Sequence, residues 1–275
     1  MSATLTIVVV TFNARDDVIA CLASVHAAPP DRPWTVVVVD NASTDGTPEA
    51  ITAHWPALSL HRLTANRGFA AANNVGIRGS DGVLILLLNS DTLIGAGQIE
   101  RLCRALESSP RAAAAGPRLL GGDGRQELSF GPMISPLGEL RQRVRAGLLA
   151  HAPIPLQRGM RARLQRAQEV DWVSGACLLV RRAAAEQVGL LDERYFMYCE
   201  DVDFCAALRA AGHRVLFVPD AIVTHLRGRS RATAPIATSR HYRESQLAFY
   251  RKHHPKWARW LARYLRAKGQ HPGPD

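Results

Sequence analysis

No apolar run in this chain approaches the ~20 residues needed to cross a bilayer as a helix, so no spanning segment is expected. Its five cysteines (Cys21, Cys103, Cys177, Cys199, Cys205) are odd in number and include no C-x-x-C pair, which suits unpaired thiols in a reducing compartment. The spacing of Cys199 and Cys205 is wrong for a zinc finger. The N-terminal segment starts with a strand-like run and lacks a basic stretch with a cleavage site, so no signal peptide is expected and the expected location is the cytoplasm. There is no internal repeat and no low-complexity tract. A glycine-rich phosphate loop is missing too, because the first strand-like run ends in Thr11-Phe12-Asn13-Ala14-Arg15. That omission argues against a dinucleotide-binding domain and against a nucleotidyltransferase.

Acidic residues are sparse in two segments. Residues 231–275 carry ten Lys or Arg against two Asp or Glu, and residues 139–169 carry seven against two, so the +10 formal charge leaves the rest of the chain slightly acidic. A basic chain can signal nucleic acid. Here the basicity belongs to two segments, and no aromatic stacking or groove-reading motif accompanies it, so no nucleic-acid partner is expected.

What is present is a series of short buried strands. Val83–Leu88 is uniformly apolar, follows Gly82 and stops at Asn89-Ser90-Asp91, which reads as a central strand buried on both faces. Leu5–Val10 and Thr35–Val39 read alike, Leu58–Leu63 more weakly. Between them, Val18, Cys21, Leu22 and Val25 share a helical face that Asn13 can cap and Pro29-Pro30 ends, and an Ala-rich helix spans about 70–77. The alternation predicts an α/β fold with a mostly parallel central sheet and helices on both faces. A helix is predicted near 98–107, a small-residue strand at 112–116, and a long, partly helical basic excursion over 121–169. Trp172–Val180 reads as a strand interrupted at Ser174-Gly175-Ala176. A helix over about 201–211 ends at Gly212 as a C′ glycine, with short strands at 215–218 and 222–225 beyond.

Asp40, Asn66 and Asp91 each follow a strand or strand-like run. If those strands are parallel, the three converge on the edge where open α/β sheets bind ligands. Asp40 can alternatively cap its own turn with Asn41 and Ser43. Asp91 can cap a turn, or it can hold Mg2+ or Mn2+ with room for water and diphosphate oxygens. Glu200, Asp201 and Asp203 are three acids in four residues, more than a helix dipole needs, approached by Tyr195, Phe196 and Tyr198, an aromatic setting that favours a general base. His225 ends a strand, where it can be a satisfied structural histidine, or it can serve an anion with the basic run Leu226-Arg227-Gly228-Arg229-Ser230 that follows.

Together, Thr11-Phe12-Asn13, Val38 to Gly46, Asn66 to Ala70, Leu88 to Thr92, Trp172 to Ala176 and Glu200 to Asp203 resemble glycosyltransferase family 2, and within it the bacterial rhamnosyltransferase-like branch. The resemblance covers about residues 4–230. It implies a GT-A fold with a nucleotide-binding half over about 1–120 and an acceptor-binding half over about 121–230. The implied reaction is inverting transfer of a sugar from a nucleotide-sugar donor, best read as dTDP-rhamnose with UDP-sugars second, to a glycan or polyprenyl-linked glycan. By position it implies that Thr11, Asn13, Asp40, Asn66, Gly68 and Asn89 line the nucleotide site. Asp91 and His225 would hold the metal, with Asn89 standing where the family's D-x-D has its first Asp. Asp201 would be the general base with Glu200 beside it. The processive Q-x-x-R-W motif is absent, which points to a single-addition enzyme. An inactive glycan- or lipid-carrier-binding module is the rival, and intact Asp91 and Asp201 argue against it.

The last stretch, 231–275, reads as a basic helical tail broken at Pro255. Trp257, Trp260, Leu261 and Tyr264 fall on one helical face with Lys256, Arg259, Arg263 and Arg266 on or beside its flanks. Two outcomes are open: the stripe packs on the body, or it lies at an anionic membrane surface on the cytoplasmic side.

Overall fold

The computed structural model describes residues 3–138, 165–226 and 235–273, without the side chains of 235–238. Arg141, Arg143, Arg145, Arg161 and Arg163 of the predicted basic excursion, and residues 227–230 of the loop after His225, lie outside the described residues.

The first four strands, β1 (Leu5–Thr11), β2 (Trp34–Asp40), β3 (Ser59–Arg62) and β4 (Leu84–Asn89), form a parallel block in the order β3-β2-β1-β4. Every residue of β1 is buried, as is β4 up to Leu88. Val83, by contrast, precedes the strand and is exposed. The uniform apolarity of β4 has a simple cause. Leu84, Leu86 and Leu88 pack on one side with helices α1 (Arg15–Ala27), α2 (Thr47–His54) and α4 (Gln98–Glu107). Ile85 and Leu87 face the other side, with α3 (Phe69–Arg78), α5 (Arg182–Gln187) and α6 (Glu200–Ala210). A strand covered on both faces has no polar side to show.

The second half makes the sheet mixed. Strand β10 (Cys177–Arg181) runs antiparallel between β4 and β6 (Ala112–Gly121), and β11 (Arg214–His225) is parallel to β6. Strands β5 (Thr92–Ile94) and β8 (Gln168–Val170) pair antiparallel with β11. A small second sheet joins β7 (Phe130–Gly131) to β9 (Trp172–Val173). The two short strands expected at 215–218 and 222–225 are one strand, β11, with a register shift between Val218 and Ile222.

The helix ends show what local sequence does and does not decide. Gly212, at φ +89°, closes α6 as expected: its N–H donates to the Arg209 carbonyl and that of His213 to Leu208, a Schellman motif. Asn13 does not cap α1. It sits at φ +46° and its side chain is taken by Thr44, leaving Ala14 as a cap without a side-chain bond. At the C-terminus, α7 (Pro235–His253) and α8 (Pro255–Ala267) separate at Pro255. Among the described residues no helix is long and apolar enough to cross a membrane.

Candidate active site

Register brings the strand ends together. Thr11 pairs with Asp40 across β1 and β2, and Val10 pairs with Asn89 across β1 and β4, so the three polar residues end neighbouring strands at one edge. Each carries a buried oxygen without a hydrogen-bond partner: Thr11 Oγ1, Asp40 Oδ1 and Asn89 Oδ1. An unmet buried polar atom costs about 1–3 kcal/mol, so three at adjacent strand ends mark a place built for a ligand. Asp40 also does the local work its alternative reading foresaw, since its Oδ2 accepts from the Ser43 N–H at 3.1 Å.

Asn13 joins the first loop to the 40–45 turn: its N–H donates to Ser43 Oγ and its Oδ1 accepts from the Thr44 N–H, both at 2.8 Å. Asn41, which the sequence reading left without a role of its own, is a hub. Its side-chain amide donates to Asn66 Oδ1 at 2.9 Å and to the Gly68 carbonyl at 3.2 Å, while its Oδ1 accepts from the Arg67 N–H at 2.9 Å. Asn66 Oδ1 accepts from the Gly68 N–H as well, at 3.0 Å. Asn66 thus shapes the loop that Gly68 ends. Gly68 has φ +83° and lies against the backbone of Phe196, whose carbonyl accepts from the Phe69 N–H at 2.7 Å. The 66–69 loop therefore locks onto the segment that leads to the acids of α6.

Strand β5 carries the chain from Asp91 to β11, where Thr92 pairs with His225. His225 Nε2 lies 3.2 Å from Asp91 Oδ1 and 3.5 Å from Asn89 Nδ2, and its Nδ1 lies 3.1 Å from Glu127 Oε2. Burial opposes charge on this imidazole, but the Asp91 and Glu127 carboxylates outweigh it and raise its pKa above the usual value. The sequence reading missed Glu127. Its signal was Gly121-Gly122-Asp123-Gly124, a turn at the end of β6 after which the Glu127 N–H donates to the Leu119 carbonyl at 2.9 Å, returning the carboxylate beside His225.

On the other side of β4, the antiparallel entry of β10 sets the Ser174-Gly175-Ala176 turn against the end of β4. The Asn89 N–H donates to the Ala176 carbonyl at 3.0 Å, and the Gly175 N–H donates to Asp201 Oδ2 at 2.8 Å. Asp201 is thereby held two residues from the β4 edge, its Oδ1 accepting its neighbour Val202's N–H at 2.8 Å. Glu200 is buried, and its Oε2 has no partner. Burial first, and the Asp201 charge second, push Glu200 well above the usual carboxylate range. The approach to α6 is strained, with Tyr198 at φ +72° and Cys199 at φ +64°.

Asp203 and Tyr195 have other work. Tyr195 donates to Asp203 Oδ1 at 3.2 Å, Lys252 Nζ donates to its Oδ2 at 2.8 Å, and His253 Nε2 lies 2.6 Å from its Oδ1. The third acid fastens α7 to the body, and the buried Tyr195 ring serves that joint.

Asp91 and the Nε2 of His225 offer a hard carboxylate and an imidazole, beside the unpartnered Asn89 oxygen, and Glu127 on Nδ1 is the outer carboxylate that fixes a ligating histidine. The residues fit a divalent ion. Among the described residues no three His, Cys, Asp or Glu are grouped for a metal, so most ligands would come from water and substrate, as is usual for Mg2+.

Known proteins give the family and the fold. The family model for glycosyl transferase family 2 matches residues 6–189, and the chain belongs to that family and is a glycosyltransferase. It is 34% identical, over 96% of its length and 90% of the relative's, to the N-acetylglucosaminyl-diphospho-decaprenol L-rhamnosyltransferase of Mycobacterium tuberculosis. A 50-residue stretch, 18% of this chain and 19% of the relative, is 48% identical to the rhamnosyltransferase WbbL of Escherichia coli. Among solved structures, the mannosyltransferase PcManGT of Pyrobaculum calidifontis with GDP-Man and Mn2+ superposes with a TM-score of 0.62 at 20% identity, covering 95% of this chain and 68% of that one. GalNAc-T7 with UDP, GalNAc and Mn2+ gives 0.61 at 15%, covering 82% of this chain but 43% of that one. The fold is GT-A, and these two structures hold UDP or GDP-Man together with Mn2+.

Proposed function

We propose that the chain transfers L-rhamnose from dTDP-rhamnose, with inversion at the anomeric carbon, to a hydroxyl of a polyprenyl-linked glycan. The observation that carries this reading is the set of three unpartnered oxygens at the β1, β2 and β4 ends, with the Asp201 carboxylate two residues away through the 174–176 turn. Thr11, Asn13, Asp40, Asn66 and Asn89 form or shape the nucleotide side, and Gly68 joins the loop below it to Phe196. The sugar and acceptor rest on the Mycobacterium tuberculosis relative, which matches nearly end to end. A lipid-linked acceptor means work at a membrane surface, peripherally and on its cytoplasmic side.

Asp201 accepts the proton of the acceptor hydroxyl as that oxygen attacks the anomeric carbon, and the bond from that carbon to the diphosphate breaks on the opposite face. Burial of Glu200 beside it disfavours a second negative charge in the pair. Asp91 and His225 Nε2 would hold Mg2+ or Mn2+, with Glu127 fixing the histidine tautomer, and the ion would supply Lewis-acid relief of charge on the leaving diphosphate. The test is a panel of dTDP-, UDP- and GDP-sugars with Mg2+ or Mn2+, with and without a polyprenyl-diphosphate-GlcNAc acceptor. Acceptor-dependent consumption of dTDP-rhamnose is expected. Turnover of another donor with dTDP-rhamnose untouched would refute the assignment.

A further inference from the structure

Helix α8 has three arcs. Ala258, Ala262 and Leu265 are buried, with Leu261 partly so, and they seat the helix against α7 and the body. The aromatic stripe is not what packs. Trp257, Trp260 and Tyr264 are 53%, 64% and 49% exposed. At i, i+3 and i+7 they share one face, and Lys256, Arg259 and Arg263 follow along the next arc. The Arg263 guanidinium lies 5.8 Å from the Trp260 ring, and Pro255, Lys256, Arg259, Trp260 and Arg263 line a shallow groove of about 540 Å³. No Asp or Glu occurs between Pro255 and Gly273.

We infer that this exposed face docks on an anionic phospholipid bilayer, with Trp257, Trp260 and Tyr264 at headgroup depth and Lys256, Arg259 and Arg263 on lipid phosphates. Trp and Tyr favour the headgroup region, where an apolar ring and a polar tip are both accommodated, and cations beside them add attraction to an anionic leaflet. A groove lined by three cations and an indole matches a phosphate headgroup in charge. A second copy of the helix does not match, because it would bring cations against cations with no carboxylate between them.

The surface is joined to the site. Leu247 of α7 packs with Ala262 and Leu265 of α8, Ser245 Oγ donates to the Met197 carbonyl at 2.7 Å, and the His241 ring lies 4.8 Å from that of Phe196. The docking face and the loop that leads to Asp201 thus belong to one packed unit. This deepens the lipid-linked acceptor reading, yet binding to vesicles needs neither donor nor acceptor, so the two can fail separately.

The test is co-sedimentation of the full chain with phosphatidylcholine vesicles, with and without phosphatidylglycerol, at low and high salt. Binding to the anionic vesicles at low salt, released by salt and accompanied by a blue shift of tryptophan emission, is expected. Each cation near an anionic surface is worth about fivefold in partitioning, so Lys256→Glu with Arg259→Glu and Arg263→Glu should weaken binding by on the order of a hundredfold or more. Trp257→Ala with Trp260→Ala and Tyr264→Ala should weaken it and abolish the shift, with nucleotide binding unchanged as the check on folding. A chain that stays in the supernatant at low salt, or variants that bind like the parent, would overturn the proposal. So would a dimer that the aromatic substitutions dissolve, or tighter binding to a single-stranded oligonucleotide than to the vesicles.

Discussion

Replacing Gly68 with alanine separates a structural contact from a nucleotide contact. Gly68 has φ +83° and ψ 173°, a region open almost only to glycine, so a side chain there costs about 1–3 kcal/mol in strain. The added Cβ would lie 2.4 Å from the Phe196 carbonyl oxygen and 2.8 Å from its Cα, so backbone must move. Moving it gives up the 2.7 Å bond from the Phe69 N–H to Phe196, worth about 1 kcal/mol. The expected loss for Gly68→Ala is about 2–4 kcal/mol by these two costs together. Gly46→Ala is the control: it shares the positive φ, at +81°, but has nothing within 4 Å, so it should cost only about 1 kcal/mol of strain. The displaced Phe196 leads through two strained residues to Asp201, so kcat should fall while nucleotide-diphosphate affinity stays near that of the parent. Urea unfolding gives the first quantity, steady-state kinetics and calorimetric titration the others. If Gly68→Ala matches Gly46→Ala in stability and turns over normally, the clash is not real. If it instead raises donor KM with kcat unchanged, Gly68 serves the nucleotide and not the joint to Phe196.

Four further outcomes are expected. Asp91→Ala should lose Mn2+-dependent nucleotide-diphosphate binding, read by calorimetry, while keeping the parent's unfolding midpoint. Asp201→Asn should lose about 10²–10⁴ in kcat with donor affinity retained, since only proton removal is taken away. Glu200→Gln should be the milder catalytic change and should flatten stability against pH. Raised above its unfolded value, Glu200 favours folding below that value and loses the benefit as pH rises, so the glutamine variant should gain relative stability toward alkaline pH in unfolding titrations. Arg32 is buried, with Glu100 at 2.9 Å and Glu107 at 2.7 Å, and Arg32→Ala leaves the buried Glu100 with Arg104 alone, so a loss of about 2–3 kcal/mol in urea unfolding is expected. Asp203→Ala should loosen α7, since Lys252 and His253 lose their shared partner, and limited proteolysis should then cut the tail before the body.

The parts of the molecule legible in the sequence were those set by local pattern. Uniform apolarity placed β1, β2 and β4, and parallel pairing then put the residues that follow them, Asp40 and Asp91 among them, at one edge, because a strand buried on both faces can turn polar only where it ends. What was not legible depended on partners far along the chain. Glu127 reaches His225 across 98 residues, and Arg32 reaches Glu100 across 68. Asp203 looked like a surplus acid in the first turn of α6 until Lys252 and His253, 49 and 50 residues on, came to meet it. Asn13 failed as a cap for the same reason: a local bond to the helix lost to Thr44, 31 residues away.

The antiparallel entry of β10 is the step that assembles the site. Had β10 run parallel to β4, its first residue would begin at the far edge, and the Ser174-Gly175-Ala176 turn would lie a strand's length from Asn89. Antiparallel pairing sets Cys177 opposite Leu88, so the turn before it meets the polar end of β4. That turn must be narrow, because Gly175 has Asp201 Cβ 3.3 Å and Phe69 Cε1 3.4 Å from where its own Cβ would stand. A glycine there lets the carboxylate of α6, the aromatic end of the 66–69 loop and the strand edge meet at one point. The interruption the sequence showed in the middle of an apolar run is thus the contact between the half of the sheet that ends in Asp40 and Asn89 and the helix that carries Asp201.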